Sequence, residues 1–270
     1  MFTITRALVA VAAAGVLTAA CGSPDSMPGM APTTTSAPMT MGDMAMGDGL
    51  AATSGGYTFQ PSSTTLSGSF QFRILGSDGR AVTAFEPEQT KLMHFYLVRS
   101  DLTGFQHVHP TMAADGTWTA PLATAAPGAY RAYTQFVVKG TDEVLSQPVT
   151  VPGEATKAPL AAPSATTSVD GFTLTIGGDK PMAGMTHQLT VSVTKDGRPV
   201  TDLQPYLDTY AHLTAFHATD GAFAHLHPQG KSGDELTFEA MLPKAGDWRL
   251  FIQFQTDGVL HTAPITITAA

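Results

Sequence analysis

The chain has 270 residues, enough for one large or two ordinary domains. Hydrophobic residues make up 43% and charged residues 13%, with a formal charge of −8. Packed cores are expected, the low charge suits an exported protein, and the acidic balance argues against nucleic acid, which wants a basic face.

Arg6 precedes an apolar run from Ala7 to Ala20, dominated by Ala, Val and Leu. A basic start, a short apolar stretch and small residues before a break describe a secretory signal over residues 1–20. The run is too short to span a bilayer comfortably. It ends in Leu17-Thr18-Ala19-Ala20-Cys21-Gly22. This resembles a bacterial lipobox, with Thr18 where an apolar residue is usual, and implies lipidation at Cys21. The implied location is the outer face of the cell membrane, held by acyl chains. Cys21 is the only cysteine, so no intrachain disulfide and no thiolate are expected in the folded region.

Residues 21–56 read as a disordered tether of Ser, Thr, Pro, Ala, Gly and Met, unable to bury enough apolar surface to offset its ordering entropy. Met27, Met30, Met39, Met41, Met44 and Met46 lie in it, six of the chain's twelve methionines. Thioethers are soft ligands that select Cu(I). An exposed spacer gains nothing from an oxidisable apolar side chain, so copper capture is the expectation here. The segment resembles the Met-rich stretches of bacterial periplasmic copper-handling proteins.

A first module is expected over residues 57–152. Tyr57-Thr58-Phe59 opens a strand, and Phe70, Phe72 and Ile74 share one face of another. Asp78-Gly79 signals a tight turn. Lys91 to Arg99 carries His94, and Phe105 to His109 carries His107 and His109 before Pro110. Strands around Trp118, from Ala129 to Val138 and from Val144 to Val151 complete it. Residues 153–168 read as a linker rich in Ala, Pro, Thr and Ser.

A second module is expected over residues 169–270. His94, His107 and His109 recur as His212, His225 and His227, each 118 positions later. The same offset carries Asp78-Gly79-Arg80 onto Asp196-Gly197-Arg198, Gly128 onto Gly246, and Gln135-Phe136 onto Gln253-Phe254. The chain is thus two copies of one unit. The fold class is all-β, two tandem immunoglobulin- or cupredoxin-like antiparallel sandwiches, with about seven short strands in each.

Alternate residues on a strand share a face, so His-x-His pairs are able to converge on one ion, with His94 or His212 supplying a third imidazole. The expectation is one divalent site per module, holding Cu(II) or Zn: His94, His107 and His109 in the first, His212, His225 and His227 in the second. The opposing expectation is histidines that pack a sheet or end a strand, repeated only because the module is. Met182, Met185 and His187 form an extra candidate metal group, against a plain loop covering a sheet end. His217 and His261 read as surface or packing residues. An imidazole site is expected to weaken below about pH 6.5, where protons compete for the ring.

Phe105-Gln106-His107-Val108-His109 is similar to the copper strand of copper–zinc superoxide dismutases, although that family's zinc-loop ligands and disulfide cysteines have no counterparts here. A blue-copper carrier needs a Cys ligand in the fold and is disfavoured. No catalytic motif is evident. Taken whole, the chain resembles exported actinobacterial lipoproteins with a Met-rich leader and paired His-x-His-Pro sandwich modules. The resemblance implies copper buffering, or delivery at the membrane to a copper-accepting protein, without catalysis. The alternatives are a metal-free surface adaptor and a dismutase-like enzyme.

Overall fold

The structure is a computed structural model, and it describes residues 47–270. The lipobox, Cys21 and the six leader methionines lie outside the described residues. All described elements are strands, and the fold is all-β as expected.

The first half contains β1 (Thr53–Ser54), β2 (Tyr57–Pro61), β3 (Phe70–Leu75), β4 (His94–Arg99), β5 (Gln106–Val108), β6 (Thr111–Met112), β7 (Trp118–Ala120), β8 (Gly128–Val138) and β9 (Thr141–Val151). They form two antiparallel sheets, β1-β2-β3-β7-β6 and β5-β4-β8-β9. Phe59, Phe70, Phe72, Phe95, Trp118 and Phe136 fill the space between them. Pro148 breaks no ladder, because β9 is an edge strand, where a missing N–H is tolerated.

The second half repeats the plan. It contains β10 (Thr166–Val169), β11 (Phe172–Gly178), β12 (Thr186–Lys195), β13 (Arg198–Pro199), β14 (Ala211–His217), β15 (Phe223–Ser232), β16 (Glu235–Met241), β17 (Gly246–Thr256) and β18 (Val259–Ala269). Strand β15 pairs with β14 at its start and with β16 at its end, so the two sheets of this half are joined through it. The crossing is absorbed by a bulge between Pro228 and Gly230. In the first half the same crossing breaks the strand at His109-Pro110, giving β5 and β6. The second Pro of the His-x-His-Pro pair therefore sits inside a strand and does not end it.

The long hairpins also repeat. Lys139-Gly140 (φ 54° and 71°) and Asp257-Gly258 (φ 49° and 75°) both place two consecutive residues at positive φ. That is the two-residue turn whose twist matches the strands it joins.

Strand β4 is buried on both faces, which explains its unbroken apolar run. Phe95 and Leu97 point into the first core, while Tyr96 and Val98 join a separate cluster. That cluster holds Tyr133 and Val144 from the first half and Phe216, Phe223 and Phe251 from the second. The β5-β4-β8-β9 sheet thus packs against its counterpart, and the two sandwiches share an apolar seam. Phe105 stacks on Phe251 with ring centres 4.1 Å apart, and the equivalent pair Phe223 and Tyr133 lies at 5.8 Å. The seam is therefore related to itself by the same repeat that relates the halves. Leu160, between β9 and β10, packs against it.

Candidate metal centre in the seam

The period of two decides which histidines face the seam. His94 has the same parity on β4 as Tyr96 and Val98. His107 is paired directly with Tyr96, so it shares that face, and their rings stack at 4.4 Å. In the second half, His212, Thr214 and Phe216 occupy the corresponding face of β14. Both sets of histidines are delivered to the junction of the sandwiches.

The first set converges. One ring nitrogen from each of His94, His107 and His109 lies within 4.8 Å of the other two. Their ring centres are 5.3, 5.0 and 4.7 Å apart. Imidazoles bonded to one ion at about 2.0 to 2.1 Å, at angles of about 90 to 110°, place their ring centres roughly 4.5 to 5.3 Å apart. The spacing fits a shared ion.

The protons are placed to suit one. His94 Nε2–H donates to the Glu88 carbonyl at 3.1 Å, leaving the lone pair on Nδ1. His107 Nδ1–H donates to Gln253 Oε1 at 2.7 Å, leaving the lone pair on Nε2. The amide of Gln253 is fixed in that sense because its Nε2 donates to Thr262 at 3.2 Å. His94 Nδ1 and His107 Nε2 are 3.1 Å apart. Two lone pairs that close repel unless a proton or a cation lies between them. Metal-bonded histidines characteristically direct their other ring N–H to an oxygen acceptor, as both do here. His109 Nε2 is buried with no hydrogen-bond partner.

Burial keeps these rings neutral, which is the ligand form. It pulls His94 down to about 4 and His109 down to about 3, with neighbouring imidazoles adding to the effect. His107 also lies well below its ordinary value for the same reason. Proton competition near pH 6.5, expected for ordinary histidines, is thereby moved to more acid conditions.

The second set is arranged differently. Among the described residues, His94, His107 and His109 are the only such group of three, and His212, His225 and His227 are not brought equally close. His212 Nε2–H donates to the Tyr206 carbonyl at 2.9 Å, as His94 does to Glu88. His225 and His227 rings stack at 5.1 Å. His225 Nδ1, however, accepts a hydrogen from Gln135 Nε2 at 2.8 Å, so its proton is on Nε2. Two non-repeated neighbours turn the amide of Gln135 that way. Tyr96 donates its hydroxyl to Gln135 Oε1 at 3.2 Å, where the second half has Thr214. Glu88 accepts from Gln135 Nε2 at 3.2 Å, where the second half has Tyr206. The Glu88 carboxyl is itself held well above its usual range by burial and by Asp142 beside it.

The remaining candidates lie apart from this cluster. Met182 and Met185 are exposed at 48% and 51%, and His187 Nε2 accepts the Met182 backbone N–H at 3.0 Å. His217 is satisfied by Asp220 and the Ala245 carbonyl, and His261 by Asp170 and Thr256. Both are buried, which the sequence left open between surface and packing. Sequence reasoning misses Gln135, Gln253 and Glu88. The available signal was a glutamine at the same offset in two otherwise apolar strands.

The fold and its seam define an all-β protein of two tandem antiparallel sandwiches. The chain belongs to the family described as a domain of unknown function, DUF8832, which matches it twice, over residues 52–153 and 167–270. No curated protein matches it. Solved structures that resemble it include the following three. The Escherichia coli adhesin FdeC is 17% identical, with a TM-score of 0.28, over 82% of this chain and 66% of that one. Yersinia pseudotuberculosis InvD is 11% identical, with a TM-score of 0.26, over 80% and 57%. Domains 4 and 5 of the S-layer protein SbsC are 15% identical, with a TM-score of 0.24, over 76% and 84%. The chain spans less than two thirds of the length of the first two. Similarity of this order says nothing about activity.

Proposed function

We propose that the protein binds a divalent, imidazole-preferring metal ion, copper or zinc, in the seam between its sandwiches, and that it buffers or delivers the ion without catalysis. One observation carries this reading. His94 Nδ1 and His107 Nε2 face each other at 3.1 Å while both outer nitrogens are committed to oxygen acceptors. The leader methionines and a lipid on Cys21 belong to the same proposal, as a Cu(I)-collecting tether and a membrane anchor that places the seam outside the cell.

The test is metal titration of the full chain with Zn(II) and Cu(II). The intact protein is expected to take up tightly held Zn(II) that His94→Ala combined with His109→Ala does not. Equal Zn(II) uptake by both proteins sinks the reading. Zn(II) is the better probe for the seam, because thioethers on the tether favour Cu(I).

A metal-free surface adaptor is the second reading. Leu92 and Tyr210 stand at equivalent positions in the two halves and are exposed at 42% and 39%, an apolar pair suited to a protein partner. A melting temperature unmoved by saturating Zn(II) favours this reading, since a ligand bound only by the native state must raise stability.

A further inference from the structure

The cluster of His94, His107 and His109 supplies three imidazoles, and a closed tetrahedral site needs a fourth ligand. We infer that the fourth is His212 of the other sandwich, so that one ion bridges the two halves of the molecule. This rests on the reading that the first three histidines bind metal.

His212 begins β14, is 2% exposed and faces the seam. Its Nε2–H is committed to the Tyr206 carbonyl at 2.9 Å, so its lone pair is on Nδ1. Burial lowers its basicity and keeps the ring neutral. Its ring centre is 6.0 Å from that of His107. That is about 0.7 Å beyond the upper end of the range for imidazoles sharing an ion through bonds of about 2.0 to 2.1 Å, so the proposal requires the His212 ring to move toward His107 when the ion binds. The Tyr206 ring lies 5.4 Å from His212 and 6.4 Å from His109, so both histidines border the same tyrosine.

The strand register supports the placement. His212 is paired with Gln253 across β14 and β17, and Gln253 Oε1 accepts directly from His107. The residue beside His212 therefore already touches the first cluster. His225 is the poorer choice, because its Nδ1 lone pair is taken by Gln135. His94, His107 and His212 thus share one pattern: an outer N–H held by an oxygen of the fold, and an inner lone pair in the seam. An ion held by all four rings ties the two sandwiches together across the seam.

Two measurements on the full chain test this. In the first, protein with 15N-labelled histidine is titrated with Zn(II). Direct bonding is expected to shift His212 Nδ1 together with the ligand nitrogens of His94, His107 and His109. A His212 signal that stays put, or His227 shifting in its place, overturns the proposal. In the second, Co(II) is bound to the protein and to its His212→Ala and His212→Gln variants. Both variants are expected to keep one Co(II) with weaker affinity and a less tetrahedral visible spectrum. The weakening should exceed the about 10- to 100-fold that loss of an outer-shell partner costs. Affinity and spectrum equal to the unmodified protein overturn the bridging site. Failure of the underlying reading looks different, because Co(II) binding would then survive His94→Ala as well.

Discussion

Gln135 and Gln253 hold the same position in the two sandwiches, and each reaches across the seam to a histidine of the other half. Gln253 presents its carbonyl oxygen to His107, at 2.7 Å, while Gln135 presents its amide nitrogen to His225, at 2.8 Å. The same residue type in the same place therefore fixes opposite tautomers, and only one leaves Nε2 free to bind a metal. Replacing Gln253 with Leu removes the acceptor that orients His107. Zn(II) affinity is expected to fall about 10- to 100-fold, the usual cost of losing an outer-shell partner. Gln135→Leu is expected to leave Zn(II) affinity within about threefold, because its partner His225 lies outside the ligand set. Competition titration with a chromophoric chelator measures both, and equal losses would show that the two sides of the seam are equivalent.

The depressed histidines set a pH window. In the unfolded chain they take up protons near pH 6.5, whereas in the native seam His94 does so only near 4 and His109 near 3. The unfolded state therefore binds more protons between those values, and stability must rise with pH there. Metal-free protein is expected to lose the histidines' contribution steadily as pH falls from about 6.5 to about 4 and below, while that of the raised Glu88 carboxyl has the opposite sign and is lost as pH rises toward about 8. Denaturant midpoints at several pH values check this, and a flat profile from neutral pH to 4.5 contradicts it. Zn(II) affinity, by contrast, is governed by the native values. It is expected to hold within about twofold down to pH 5.5.

Much of this architecture is legible in the sequence. The offset of 118 locates two copies, and the alternation at Phe70, Phe72 and Ile74 locates a half-buried strand. The unbroken apolar run of β4 is also visible, but its cause is not. Tyr96 and Val98 are buried because the other half covers them, and nothing local to β4 reports that. For the same reason the sequence places a separate site in each module. Period-two reasoning puts His94, His107 and His212 on definite faces without saying that those faces meet. The difference between the halves is set by Glu88 and Tyr96 turning one amide, a long-range effect of two positions at which the halves differ.

The seam itself is open to test. Tyr133 donates its hydroxyl to the Gly221 carbonyl of the other half at 2.6 Å. Tyr133→Phe leaves that carbonyl unpaired and is expected to cost about 1 to 3 kcal/mol. Gly221 is at φ 76°, and a Cβ there would lie 2.9 Å from the tyrosine oxygen, so Gly221→Ala is expected to destabilise as well. Phe251→Ala deletes a ring stacked on Phe105 and is expected to cost about 3 to 5 kcal/mol. Urea unfolding reads all three. If Phe251→Ala costs no more than an exposed substitution, the sandwiches are not held by this packing.

Met182, Met185 and His187 give the cleanest control. The two thioethers face solvent, and the Nε2 lone pair of His187 is already used by the Met182 N–H. Converting Met182 and Met185 to Leu keeps the apolar volume and removes the sulfurs, so stability is expected to change by no more than about 0.5 kcal/mol. Zn(II) stoichiometry and affinity are expected to be unchanged, because a borderline ion held by imidazoles has no need of thioethers. Adding His187→Ala is expected to leave Zn(II) binding unchanged too. A lost equivalent of Zn(II) in the triple variant would place a ligand set at this end of the sheet and remove the seam's claim to be the principal site.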